Sequence, residues 1–229
     1  MSDSRSKIEA LLPDIGMVNP LCLYRMIETW SDFVYLQVAW LEGKLMHTPD
    51  YFGSCLMEDC EIMKQELIAI NKLGAVTTDS QPGTCTDDNY QRAYIEFYVP
   101  LSYAEPLVDC VKDRSDVYIL AINFNHETNH DEVYFDNVPD EYETVDEDGS
   151  PLKFYNETYG KNHPPESGRG TNLYKFKWDI LPYLYKDFPR LNKLMRDSAS
   201  IEMVASEYCK GPITQILYQC LKKFAVPLI

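Results

Sequence analysis

Between Glu58 and Val99 the pattern of the chain changes twice, and residues of fixed conformational meaning mark each change. Ile62, Met63, Glu66, Leu67 and Ile70 recur at helical spacing on one face, apolar except at Glu66. Gly74 then stands where a left-handed residue ends a helix, since glycine takes a positive φ with no Cβ clash. Ala75 to Asp79 is short and rich in Val and Thr, which predicts a strand, and Pro82-Gly83 is a turn signal. Gln91 to Val99 alternates, with Ala93, Ile95, Phe97 and Val99 on one face. The unit is helix, strand, loop, strand. It sets Ser80-Gln81-Pro82-Gly83 beside a strand end, where hydroxyls and backbone amides converge on a ligand rim.

The flanking segments extend this order. Pro13, Gly16 and Pro20 break any long helix in the first 30 residues. Ser31 or Asp32 is placed to cap a helix that ends at Gly43 and buries Phe33, Val34, Val38 and Leu41, with Trp30 and Trp40 adding to the core. Ser102-Tyr103-Ala104-Glu105 reads as a capping box for a helix carrying Leu107, Val108 and Val111, and Val117 to Phe124 reads as a buried strand. Residues 126–172 are the least regular part, crossed by short strand patterns at Glu132 to Phe135 and Leu152 to Tyr155. A helical pattern returns from Trp178 to Arg196, Ile201 to Tyr208 reads as a last strand, and Pro212 to Phe224 as an amphipathic helix with Ile213, Ile216, Leu217 and Leu221 aligned. The expectation is an α/β mixed (α+β) fold, with mixed β-sheets surrounded by helices. No linker or internal repeat divides it, so one domain over 1–229 is expected, with an N-terminal segment at 1–30 and an irregular acidic loop region at 126–172.

Charge narrows the function. With 36 acidic against 21 basic residues the net charge is -15, which repels a phosphate backbone or an anionic membrane surface. Lys161, His163 and Arg169 are too sparse to form an electrostatic groove, so neither nucleic acid nor membrane is an expected partner. The 7 cysteines are scattered without a C-x-x-C pair, so no disulfide framework or zinc site is expected. No leader pattern occupies Met1 to Met17 and no segment gives a spanning apolar run, so the expected location is cytoplasmic, intracellular and reducing.

Catalytic chemistry finds little support. His126 and His130 with Asp131 have the residue types of a metal site, but they follow a strand pattern in an Asn-rich loop rather than sharing a helix. The acidic run Asp140 to Asp148 lacks the spacing and terminal Glu of a calcium loop and reads as solvated. There is no nucleophile elbow and no phosphate-binding glycine loop. The reading leans away from an enzyme.

Leu67-Ile68-Ala69-Ile70-Asn71-Lys72-Leu73-Gly74-Ala75-Val76-Thr77-Thr78-Asp79-Ser80-Gln81-Pro82, followed by Gln91-Arg92-Ala93-Tyr94-Ile95-Glu96-Phe97-Tyr98, resembles the C-terminal regulatory domain of eukaryotic methylenetetrahydrofolate reductase. The resemblance implies a domain that binds S-adenosylmethionine or S-adenosylhomocysteine, with no cofactor required for catalysis. The reductase's flavin-binding barrel is not implied, because such a barrel takes about 250 residues and this whole chain has 229. Carried over by position, Thr77 and Ser80 match hydroxyl residues that contact the adenosyl ligand, within the unit completed by Gln81 and Pro82. Asp59-Cys60 stands where the family has a Glu-Thr pair, and Cys60 is the poorer donor. Tyr51 is the candidate stacking aromatic. The family's long Gly/Trp-rich loop is cut here to Thr84 to Tyr90. The implied function is a stand-alone sensor of a nucleoside-like ligand. The alternative is a protein-interaction module that keeps the fold but has lost the pocket, acting through its acidic, Tyr-rich surface.

Overall fold

The computed structural model describes residues 3–12, 21–46, 61–85, 90–111, 113–123, 133–136, 188–206, 213–226 and 228. Seven helices are described, α1 (Asp3–Leu11), α2 (Leu21–Tyr24), α3 (Trp30–Leu41), α4 (Lys64–Lys72), α5 (Leu101–Val111), α6 (Pro189–Arg196) and α7 (Ile213–Leu221). The strands are β1 (Val76–Gln81), β2 (Thr84–Cys85), β3 (Tyr90–Gln91), β4 (Tyr94–Pro100), β5 (Val117–Asn123), β6 (Val133–Asp136) and β7 (Ser198–Ala205). Five strands form one sheet in the order β1-β4-β7-β5-β6, and β2-β3 make a separate two-stranded ribbon. The fold is α+β.

Strand direction departs from the mixed sheets expected, since every described pairing is antiparallel. The reason is the placement of β7. Strands β4 and β5 run the same way, joined through α5, but β7 lies between them and pairs antiparallel with both. A split β-α-β arrangement results. The last strand pattern in the chain becomes the middle of the sheet, and all of β7 is buried.

Alternation gives the sheet two different faces. Ile95, Phe97 and Val99 of β4 pair with Met203, Ile201 and Ala199 of β7, and none is more than 1% exposed. The other face sets Tyr94, Glu96 and Tyr98 opposite Val204, Glu202 and Ser200. Core residues from all seven helices and from four strands join one apolar cluster. Among the described residues no helix is long and apolar enough to cross a membrane.

Helix α3 is buried nearly all round, with Phe33, Val34, Leu36, Gln37, Val38, Ala39, Trp40 and Leu41 all inside, as befits a helix surrounded by others. Its cap differs from the expectation. Thr29, not Ser31 or Asp32, is the N-cap, its hydroxyl accepting from the Asp32 amide at 3.2 Å. Asp32 closes the capping box from inside the first turn, its carboxylate accepting from the amides of Thr29 at 2.9 Å and Glu28 at 3.1 Å. The Ser4 hydroxyl donates to the same oxygen at 2.8 Å and so ties α1 to the start of α3. Similarly, α5 begins at Leu101, so Ser102 lies within the helix rather than ahead of it.

Gly74 ends α4 with φ at 100°, and its amide donates to the Asn71 carbonyl at 2.8 Å. Its carbonyl accepts from the Trp30 indole at 2.7 Å. A Cβ there would lie 3.2 Å from Tyr103 Cε2 and 3.3 Å from Leu228 Cδ1. Ile62 is the exception on this helix, 78% exposed because it precedes the regular turns that begin at Lys64.

Two stability outcomes follow from these joints. Gly74→Ala should lose about 1–2 kcal/mol from the left-handed backbone alone, read as a lower urea midpoint with unchanged slope. Burial pushes the Asp32 carboxyl up, but the bonds from Ser4, Glu28 and Thr29 outweigh it and hold the group below the ordinary aspartate range. Stability from such a group is complete above the unfolded value of about 3.9 and is lost as pH falls through the lower folded value. Asp32→Asn should therefore cost about 1–3 kcal/mol near neutral pH, with the gap to the parent protein narrowing in urea melts below pH about 4.

Candidate functional site

Among the described strands β1 is an edge of the sheet, entered from the Gly74 turn and left through Pro82-Gly83. Its residues would alternate faces if it were regular, leaving Thr77 and Ser80, three apart, on opposite sides. An extra residue at Thr78 changes this. Thr77 pairs with Phe97 and Ser80 with Ile95, with a register shift between Thr77 and Asp79, so both hydroxyls share the face that carries Ile95 and Phe97. Bulges of this kind re-aim side chains and recur beside binding sites. Gln81 pairs with Tyr94 and falls on the opposite face, while Pro82 follows the strand.

Thr77 is 4% exposed and is held by side chains from two helices. The Asn71 side chain of α4 donates to its hydroxyl at 2.8 Å and accepts from its amide at 3.2 Å. The Gln37 side chain of α3 donates to its carbonyl at 2.7 Å. Asn71 also donates to the Leu67 carbonyl at 2.8 Å. The bond from Asn71 occupies one lone pair of the Thr77 oxygen and leaves the hydroxyl proton as a donor. Ser80 is 8% exposed, and its amide donates to the Asp79 carboxylate at 2.8 Å.

On the opposite face Asp79, Glu96 and Glu202 form one cross-strand row, because Asp79 pairs with Glu96 and Glu96 with Glu202. Like charges directly opposite are unfavourable unless compensated, and the Thr78 hydroxyl donates to Glu96 Oε1 at 3.2 Å. Among the described residues no group of three His, Cys, Asp or Glu is arranged to hold a metal. Of the cysteines, Cys22, Cys110 and Cys220 are free thiols. Burial, and then the neighbouring Cys110, push the Cys220 thiol up to about 11, which keeps it protonated and unreactive at neutral pH.

The sequence-derived site thus divides. Thr77 and Ser80 are brought together, Gln81 is turned away, and Asp59, Cys60 and Tyr51 lie outside the described residues, as do His126, His130 and the acidic run Asp140 to Asp148. Gln37 and Asn71, which the sequence reading gave no role, are the side chains that hold Thr77. The signal available was a polar residue among apolar helix positions; both are buried, at 3% and 0% exposure, and a buried amide needs a partner.

A family model described as a domain of unknown function, DUF6919, matches residues 23–130. That span takes in α3, α4, β1 and β4, and so the whole amide clamp on Thr77. No curated protein matches the chain.

Asn71→Ala would strip the Thr77 amide of its acceptor in a buried setting. The expected cost is about 2–3 kcal/mol in chemical denaturation, together with faster amide exchange at Thr77 than at Phe97 on the paired strand.

Proposed function

We propose that the chain is a small-molecule-binding regulatory domain without catalysis of its own, and that its ligand is S-adenosylmethionine, S-adenosylhomocysteine or a close nucleoside relative. The observation that carries this reading is the bulge at Thr78, which places the two hydroxyls of the Thr77-x-x-Ser80 unit on one face at the end of an edge strand. Those are the positions at which the resemblance to the methylenetetrahydrofolate reductase regulatory domain puts ligand contacts. Thr77 contributes the one hydroxyl proton that Asn71 leaves available, and Ser80 contributes a second hydroxyl. Asp59, Cys60 and Tyr51 complete the pocket in this reading. A ligand bound there would bridge β1 and α4, the two elements joined at Gly74, and would report its presence by stiffening that joint.

A specific observation favours a second reading. Thr77 and Ser80 are 4% and 8% exposed, which suits a fold that keeps the motif for packing and works through a protein partner instead.

Calorimetric titration with S-adenosylhomocysteine and S-adenosylmethionine, with adenosine as control, separates the two. The sensor reading expects saturable binding that Ser80→Ala and Thr77→Val each weaken by about tenfold or more, the thermal midpoint without ligand staying near that of the parent for Ser80→Ala and falling for Thr77→Val, which leaves one buried Asn71 N–H without its acceptor. No saturable heat from either compound, or affinity untouched by both substitutions, would leave the interaction-module reading standing.

A further inference from the structure

We propose that the chain carries a second site, independent of the β1 reading, which takes a compact multivalent oxyanion such as the phosphate or carboxylate groups of a small acidic molecule. It is an open cleft of about 430 Å³ whose described lining includes Lys7, Arg25, Met26, Glu28, Pro189 and Arg190. Three separate parts of the chain build it. Lys7 comes from α1, Arg25 to Glu28 from the segment between α2 and α3, and Pro189 with Arg190 from the first turn of α6.

The charge of the cleft runs against that of the molecule. The chain as a whole is at -15, yet the described lining holds three cations, Lys7, Arg25 and Arg190, and one carboxylate, Glu28. That carboxylate takes one bond from Arg190 Nη1 at 2.5 Å. A guanidinium has five donors, so most of the Arg190 fork remains for a ligand. Arg25 is exposed, and its guanidinium makes no ion pair with a described residue. Arginine forks fit phosphate and carboxylate oxygens in pairs, which a monatomic anion such as chloride cannot exploit. Met26 and Pro189 add apolar wall for the carbon skeleton of the acid. The volume lies within the range of small-molecule sites.

Position gives the site a consequence. The same short segment that supplies Arg25 and Glu28 leads into Thr29 and Asp32, the capping box that starts α3, and Ser4 of α1 reaches Asp32 from one helical turn before Lys7. An anion held between Lys7, Arg25 and Arg190 therefore clamps α1, the α3 entry and α6 together.

The test is calorimetric titration of the full chain at low ionic strength with inorganic pyrophosphate in one arm and citrate in the other, which distinguishes phosphate from carboxylate recognition. At least one should bind saturably at a single site. Arg25→Gln and Arg190→Gln should each weaken that binding by about tenfold or more, and Glu28→Gln should tighten it by removing the competing carboxylate. Lys222→Gln, an exposed lysine set over the Tyr218 ring and outside the cleft, should change nothing. No saturable binding of either anion, or equal loss with Lys222→Gln, overturns the proposal.

Discussion

The amide clamp on Thr77 is the interaction on which the rest of the structure leans. Two buried side chains, Gln37 from α3 and Asn71 from α4, satisfy the amide, hydroxyl and carbonyl of one residue on an edge strand. Leaving any of these groups unpaired inside the protein would cost about 1–3 kcal/mol, so the clamp fixes where β1 sits against the two helices. An edge strand otherwise offers its backbone to other chains. Here part of that edge is answered from within.

From that joint the remaining geometry follows. The Gly74 turn brings the chain back from α4 into β1, the Trp30 indole and the tail residue Leu228 close over the turn, and the Leu228 amide donates to the Lys72 carbonyl at 3.0 Å. The Ser31 hydroxyl holds the same tail by donating to the Leu228 carbonyl at 3.0 Å. At the far end of α4, Glu66 accepts from the side chains of Thr214 and Gln215 at the start of α7. Helix α4 is thereby anchored at both ends, once to the N-terminus of a helix where a carboxylate is favoured, and once to the strand that carries the candidate ligand hydroxyls.

Much of this was legible in the sequence where a local rule has few competitors. Gly74 as a left-handed stop, the alternation of Ile95, Phe97 and Val99, and the helix at Ile213 to Leu221 all follow from residue type and spacing. The order of strands was not legible, because the insertion of β7 between β4 and β5 is a long-range choice that no local pattern records. Nor was the cap of α3, where Thr29, Ser31 and Asp32 all have capping side chains and only the bonds from Ser4 and the Glu28 amide decide which role Asp32 takes. The bulge at Thr78 was invisible for a similar reason. A two-Thr run reads as ordinary strand, and only the pairing with β4 shows that one residue is extra. Parity counting alone would have put Thr77 and Ser80 on opposite faces.

The central claim is that a nucleoside-like ligand engages β1 at its bulged end. It is tested most directly by recording amide chemical shifts of the ¹⁵N-labelled chain during titration with S-adenosylhomocysteine. The account predicts saturable shifts centred on Thr77 to Gln81 and on Asn71, whose side chain holds the Thr77 hydroxyl. A spectrum that stays unchanged, or shifts confined to residues remote from β1, would contradict it.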